Sequence, residues 1–282
     1  MTPVFEEIAA GFFVDSAYRD RLEQMGLTSM EAVFAFEGGD HLHKANLAAH
    51  RSRVRFELPG GPAAYLKRYT NVPKWIQLNN RLRHGGRTAT CDLDRLPGEK
   101  LAEAGIRTPK VIAWGAERDG WFERRSFILT EEIPGGVSLE KQLPNCLENL
   151  HPARQVQERR DFLYRLADWV AAVHRTGLCH RDLYLSHIFM TGEGELVLID
   201  LHRAFRPRIT AGRYRLKDLT QLYYSAPGQT ISRADRLRFY LRYAGQKKLT
   251  TADRRLIRKI KQKAWRMADH DIKHGRPVPF AE

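Results

Sequence analysis

Apolar and polar residues alternate along Arg51 to Leu58 and again along Ala63 to Tyr69, with Pro59-Gly60-Gly61-Pro62 between the two runs. A period of two interrupted by a Pro/Gly turn predicts a two-strand ribbon with Lys67 on its second strand. Strand-like runs recur at Ala32 to Phe36, Val111 to Trp114 and Phe127 to Thr130, around a basic insertion at Trp75 to Arg87 and a helix expected near Pro97 to Ala104. After Pro134-Gly135-Gly136 the apolar period becomes helical, over Ser138 to Leu143, Gln155 to His174, Leu216 to Tyr224 and Ala234 to Tyr243. Ser232 with Asp235 three residues on predicts a capped helix start. Strands first and helices after predict an α+β chain, with a mainly β N-terminal lobe over 1–130 and a larger helical lobe over 131–282.

Charge adds a second layer. The formal net charge is +14, and no acid occurs from Leu58 to Cys91. From Arg254 to Arg266, cations interleave with Leu256, Ile257, Ile260 and Ala264 at helical spacing. Such fields attract polyanions, and without a DNA- or RNA-reading motif an anionic membrane or an acidic glycolipid is expected rather than a specific nucleic acid. The three cysteines Cys91, Cys146 and Cys179 are far apart, so neither a disulfide framework nor a zinc cluster is expected. The N-terminus lacks the basic start and long apolar centre of a signal peptide, which together with the cysteine count predicts a reducing, cytoplasmic setting.

The chemistry concentrates in two strings. Gly177 ends the apolar-periodic helix through Phe162, Leu166, Val170 and Val173, and His180-Arg181-Asp182 follows in the loop. Eighteen residues after Asp182, Asp200 closes the apolar run Leu196 to Ile199, which follows the turn Thr191-Gly192-Glu193-Gly194 and reads as a hairpin strand. A carboxylate in a loop and a second just past a short strand suit phosphoryl transfer, in which one acid meets the attacking hydroxyl and the other a metal at the phosphates. Lys67, upstream of both acids, is the candidate cation for those phosphates.

His180-Arg181-Asp182-Leu183-Tyr184-Leu185-Ser186-His187, Ile199-Asp200-Leu201-His202-Arg203-Ala204, Ser126 to Glu132 and Lys217-Asp218-Leu219 together resemble the lipopolysaccharide core kinases, the heptose and Kdo kinases of Gram-negative bacteria. Order and spacing match over roughly Tyr65 to Gly245. The resemblance implies a two-lobed protein-kinase-like fold with ATP between the lobes and Mg²⁺ as cofactor. It implies Asp182 as the acid/base residue, Asp200 as metal ligand and Lys67 as the phosphate-contacting lysine. His187 stands where protein kinases place a metal-binding Asn. Glu131, Glu132 and Ile133 fall at the hinge that meets the adenine, and Asp218 braces the catalytic loop from below. Either Asp94 or Glu99 would pair with Lys67, Asp94 being favoured although Pro97 would disturb a helix there. No Gly-x-Gly-x-x-Gly loop precedes Lys67; the ribbon turns instead near His43 to His50. The implied acceptor is an inner-core sugar of lipopolysaccharide, heptose ahead of Kdo, at the cytoplasmic face of the inner membrane, with Arg203, Arg206 and Arg208 near the acceptor's charges.

Two other classes fit parts of the same sequence. One is a kinase of this fold acting on another small molecule. The other is a non-catalytic basic module that binds acidic membranes or nucleic acid, against which the joint presence of Lys67, Asp182 and Asp200 argues.

Overall fold

A computed structural model describes residues 3–42, 50–86, 88–143 and 152–279. The turn expected near His43 to His50 falls mostly on 43–49, and with Arg87 and Cys146 it lies outside the described residues. The chain divides into two units, Met1–Glu99 with Pro109–Pro134, and Lys100–Thr108 with Gly135–Glu282.

In the first unit, β1 (Phe5–Ala9) and β2 (Phe12–Asp15) form a hairpin, followed by two short helices, α1 (Arg19–Gln24) and α2 (Met30–Ala35). β3 (Asp40–His41), β4 (Arg51–Glu57) and β5 (Ala63–Thr70) come next, then α3 (Lys74–His84), α4 (Asp92–Glu103, its residues from Lys100 on belonging to the second unit), β6 (Val111–Asp119) and β7 (Phe122–Glu131). The strands make one seven-stranded sheet in the order β1-β2-β6-β7-β5-β4-β3, antiparallel at every pairing. The alternation read at β4 and β5 becomes a register of Arg53 opposite Lys67 and Val54 opposite Leu66. Val54, Leu66, Ile112 and Phe127 are buried with Phe12 and Leu22 in the core of this unit.

Three segments differ from the sequence expectation. Ala32 to Phe36 was expected to be a strand, yet Met30–Ala35 is helical. The Ser29 side chain caps its start through the Ala32 N–H (3.1 Å), and the buried Arg68 guanidinium donates to the end carbonyls of Val33, Phe34 and Phe36 at 3.2, 3.0 and 2.8 Å. Caps at both ends outweigh the strand propensity of Val33 and Phe34. The basic insertion contains a helix, α3. The helix expected from Pro97 instead starts at Asp92 and carries Pro97 inside it, where proline forgoes one backbone bond.

In the second unit, β8 (Val137–Ser138) leads into α5 (Leu139–Gln142) and the long α6 (Pro152–Arg175). β9 (Ile188–Met190) and β10 (Leu196–Leu198) pair as the expected hairpin and add β8 in the order β10-β9-β8. Three helices follow: α7 (Ala211–Ser225), α8 (Arg233–Tyr243) and α9 (Thr251–Lys273). Ser232 and Asp235 form the expected capping box at α8, and Thr250 with Asp253 forms another at α9. Leu166, Val170 and Val173 of α6 pack with Leu183, Leu185, Leu198 and Leu219 in one core, so the loops before β9 and after β10 rest on a rigid base.

Candidate active site

In the first unit, the period of β5 puts Lys67 and Tyr69 on one face, and both reach Asp94 in the first turn of α4. Lys67 Nζ lies 3.2 Å from Asp94 Oδ1, and Tyr69 Oη donates to Asp94 Oδ2 at 3.1 Å. Burial, and secondarily the Asp94 charge, raises the Tyr69 pKa well above the ordinary phenol value, so it stays a donor. Glu99, the other candidate partner, accepts instead from Arg95 at 2.6 Å. At the end of β7, the Glu131 N–H is taken by the Lys110 carbonyl and the Glu132 N–H by the Ala63 carbonyl, each at 2.8 Å. Glu131 Oε2 accepts from Tyr18 Oη at 2.7 Å, and Glu132 accepts from Arg55 and Tyr65. Ile133 follows directly, part-buried.

In the second unit, α6 ends at Gly177 with φ 85° and releases the loop that carries Asp182. One face of α7 then holds that loop by its backbone. Fully buried Asp218 accepts from the N–H of His180 at 2.8 Å and of Arg181 at 2.6 Å, and His174 Nε2 lies 3.2 Å away. Gln221 Oε1 accepts from the Leu183 N–H (3.2 Å) and Ser225 Oγ from the Leu185 N–H (2.9 Å). Lys217 Nζ donates to the Arg181 carbonyl. Arg181 is left-handed at φ 71°, as is Asp200 at φ 58°, two of the three such non-glycine positions among the described residues. L-residues occupy that conformation at a cost, which the surrounding hydrogen bonds offset.

Asp182 itself is largely shielded. Arg203 Nη1 lies 2.9 Å from each carboxylate oxygen, while Gln221 Nε2 and Lys217 Nζ approach Oδ1 at 3.3 and 3.5 Å. Burial lowers the Lys217 pKa, an effect the Asp182 charge opposes and the Arg203 charge reinforces. These partners of Asp182 were not anticipated, although the i, i+4 spacing of Lys217 and Gln221 around Asp218 was visible in the sequence. The sequence places Arg203 only near the acceptor's charges.

His187 and Asp200 come together as well. The Asp182 carbonyl can only accept, so His187 Nδ1 carries the proton of their 2.7 Å bond. In the neutral ring, Nε2 then presents a lone pair 3.8 Å from Asp200 Oδ2. Two facing acceptors suit a cation. Among the described residues no group of three or more His, Cys, Asp or Glu side chains is gathered around a metal site. Asp200 and His187 would supply the one or two protein ligands that Mg²⁺ takes, with phosphates and water completing its shell. His180 ties the two loops: its Nε2 donates to the Ile199 carbonyl at 2.9 Å, and burial lowers its pKa so that the ring stays neutral.

Lys67, Asp94, Glu131 and Ile133 thus belong to the first unit, and Asp182, His187 and Asp200 to the second. The description "Lipopolysaccharide kinase (Kdo/WaaP) family" matches residues 64–243, a stretch that includes all seven. The chain is similar to the lipopolysaccharide core heptose(I) kinase WaaP of Pseudomonas aeruginosa, 35% identical over 151 residues, about half of each protein (51% of this chain and 55% of the relative). The WaaP of Escherichia coli K12 is 28% identical over 234 residues, 80% of this chain and 87% of that protein. Among solved structures, WaaP in complex with acyl carrier protein matches with a TM-score of 0.67 and 26% identity, over 94% of this chain and 99% of the other. With a match that spans most of its length and includes candidate residues of each unit, this chain belongs to the lipopolysaccharide kinase (Kdo/WaaP) family, and so to the phosphotransferases that act on an alcohol group.

Proposed function

We propose that this chain transfers the γ-phosphoryl group of ATP to a hydroxyl of an inner-core sugar of lipopolysaccharide, a heptose rather than Kdo. The observation that carries this reading is the Asp182 carboxylate, fixed on a loop whose backbone is bonded to α7 through Asp218, Gln221 and Ser225. In this role Asp182 takes the proton of the acceptor hydroxyl as that oxygen bonds to the γ-phosphorus. The bond from the γ-phosphorus to the β–γ bridging oxygen breaks, and ADP leaves with its electron pair. Lys67, held by Asp94, serves the nucleotide phosphates, and the backbone around Glu131 and Ile133 serves the adenine edge. Asp200 and His187 would hold Mg²⁺, which when bound neutralises phosphate oxygens. Arg203, half exposed, must release Asp182 before a hydroxyl approaches; it then becomes available to a phosphate or carboxylate on the acceptor.

Heptose is favoured because the relatives in both bacteria are named core heptose(I) kinases. The cytoplasmic face of the inner membrane is the proposed location, and the net charge of +14 supports an anionic surface there. A protein partner is a second reading: WaaP was solved with acyl carrier protein, and Arg254, Arg255, Arg258, Lys259 and Arg266 form an exposed basic face on α9 suited to an acidic one.

Purified chain should be given ATP and Mg²⁺ with heptosylated core and, separately, with Kdo₂-lipid A lacking heptose. Phosphate on the first alone is expected. Asp182→Asn should lower that turnover about 10²-fold or more while leaving nucleotide binding intact. Turnover on the second acceptor alone overturns the heptose assignment, and an active Asp182→Asn variant overturns the role of Asp182.

A further inference from the structure

Helix α3 is built with its polarity inverted. The buried side chain in it is a glutamine: Gln77 Nε2 donates to the Val72 and Glu123 carbonyls at 2.8 and 3.0 Å, and its Oε1 accepts from the Glu123 N–H at 2.8 Å. Ile76 packs against the buried Tyr69, Val72 and Ile128. Trp75, Leu78 and Leu82 are meanwhile 68%, 50% and 79% exposed. Their spacing of three and four residues aligns them in one outward stripe. A soluble surface helix has the opposite arrangement, so this apolar face is directed at something other than the protein's own core.

The charges beside the stripe identify what that is. Exposed Lys74 and Arg83 flank it on either side, and no acid occurs from Leu58 to Cys91. Lys74 Nζ lies 5.0 Å and the Arg81 guanidinium 5.4 Å from the centre of the Phe122 ring, which joins the helix to the start of β7. Trp121, the residue before Phe122, is also exposed. A tryptophan and two leucines between cations make a convex surface that suits the boundary of headgroups and acyl chains, with the cations at the level of lipid phosphates. At 11 residues the helix is about 16 Å long, so it lies on a bilayer and does not cross one.

We propose that α3 is an interfacial anchor that lies flat on an anionic phospholipid surface, with Trp75, Leu78 and Leu82 inserted and Lys74 and Arg83 against lipid phosphates. This deepens, and rests on, the membrane location proposed above. It places the contact on a helix of the first unit, separate from the residues assigned to chemistry.

The whole chain should be sedimented with vesicles of phosphatidylcholine, with and without phosphatidylglycerol, and its tryptophan emission followed with brominated lipid. Binding to the anionic vesicles with quenching is expected. The combined variant Trp75→Ser, Leu78→Ser, Leu82→Ser should weaken that binding at least about tenfold. Its thermal midpoint and its turnover on delipidated core oligosaccharide should stay at wild-type values. Arg83→Glu should weaken binding less, and more so at low salt. Equal vesicle binding by wild type and the combined variant overturns the anchor and leaves the location standing. No vesicle binding by wild type overturns both. A change of oligomeric state in the variant, without a change in vesicle binding, would instead show the face to be an interface between copies. Loss of all turnover in wild type, with binding still dependent on the stripe, would remove the kinase reading alone.

Discussion

Gln221 Nε2 lies 3.3 Å from Asp182 Oδ1, and Lys217, one turn earlier on α7, places Nζ 3.5 Å from the same oxygen. Both come from the helix face that accepts the N–H groups of the loop through Asp218 and Ser225. Backbone and side chain of the proposed catalytic residue are therefore aimed by one rigid element. With Oδ1 occupied, Oδ2 is the oxygen left to meet a hydroxyl once Arg203 moves.

Lys217→Met should therefore lower kcat by about tenfold or more with little change in the KM for ATP, because aim and local charge are lost while nucleotide contacts remain. Lys217→Arg should recover part of the rate. Steady-state kinetics of the two variants checks this; a Met variant whose ATP KM rises while kcat holds would assign Lys217 to nucleotide binding instead.

Lys67 and Asp94 form a largely shielded pair, to which Tyr69 contributes a further bond. Removing one partner leaves the other charge poorly solvated, so Lys67→Met should cost stability, up to about 3 kcal/mol, in addition to weakening nucleotide binding. In a double-mutant cycle with Asp94→Asn, urea denaturation should show coupling of about 1 kcal/mol or more. Simple additivity would mean the contact carries no stability.

Residue types and spacing made the candidate site legible: Asp182 and Asp200 stood out because a helix exit and a hairpin frame them within a short stretch of chain. Asp94 was harder to read, because Pro97 suggested a break where the helix in fact continues. α2 was misread because the residue that closes it, Arg68, lies more than thirty positions away on β5, and no local window holds that bond. The same holds for the β1–β2 hairpin, whose second strand is secured by pairing with β6 across most of the N-terminal unit. The inversion of α3 was hidden for another reason: its stripe has the spacing of a core face, and only the Gln77 bonds to the Glu123 backbone show which side faces inward.

Glu132 accepts two hydrogen bonds from Arg55, at 2.9 and 2.6 Å, and one from Tyr65 at 2.8 Å. The Arg55 bond, opposed by burial, lowers its pKa from the ordinary value of 4.5. The stability this adds is present above that ordinary value and is lost as pH falls through the lowered folded-state value, because the unfolded chain takes up the proton first. Urea midpoints measured from pH 7 down to pH 3 should fall more steeply for the native protein than for Glu132→Gln, which should start slightly lower at pH 7. Parallel curves would show that the Arg55 contact makes no net contribution.

Asp200 sits in a left-handed conformation with Oδ2 3.8 Å from His187 Nε2, and this pair is the candidate cation site. If phosphates and water complete the shell, apparent Mg²⁺ affinity should depend on nucleotide, and Asp200→Ala should weaken Mg²⁺-dependent ATP binding by about tenfold or more. Metal-free nucleotide binding should change little, because Lys67 and the backbone near Ile133, proposed for the phosphates and the adenine, are untouched. His187→Asn offers an oxygen in place of the ring nitrogen and should retain more of the metal dependence than His187→Ala. Calorimetric titration of ATP with and without Mg²⁺ across the three variants separates the roles. An Asp200→Ala variant with unaltered metal dependence would reduce Asp200 to a residue that shapes the turn after β10.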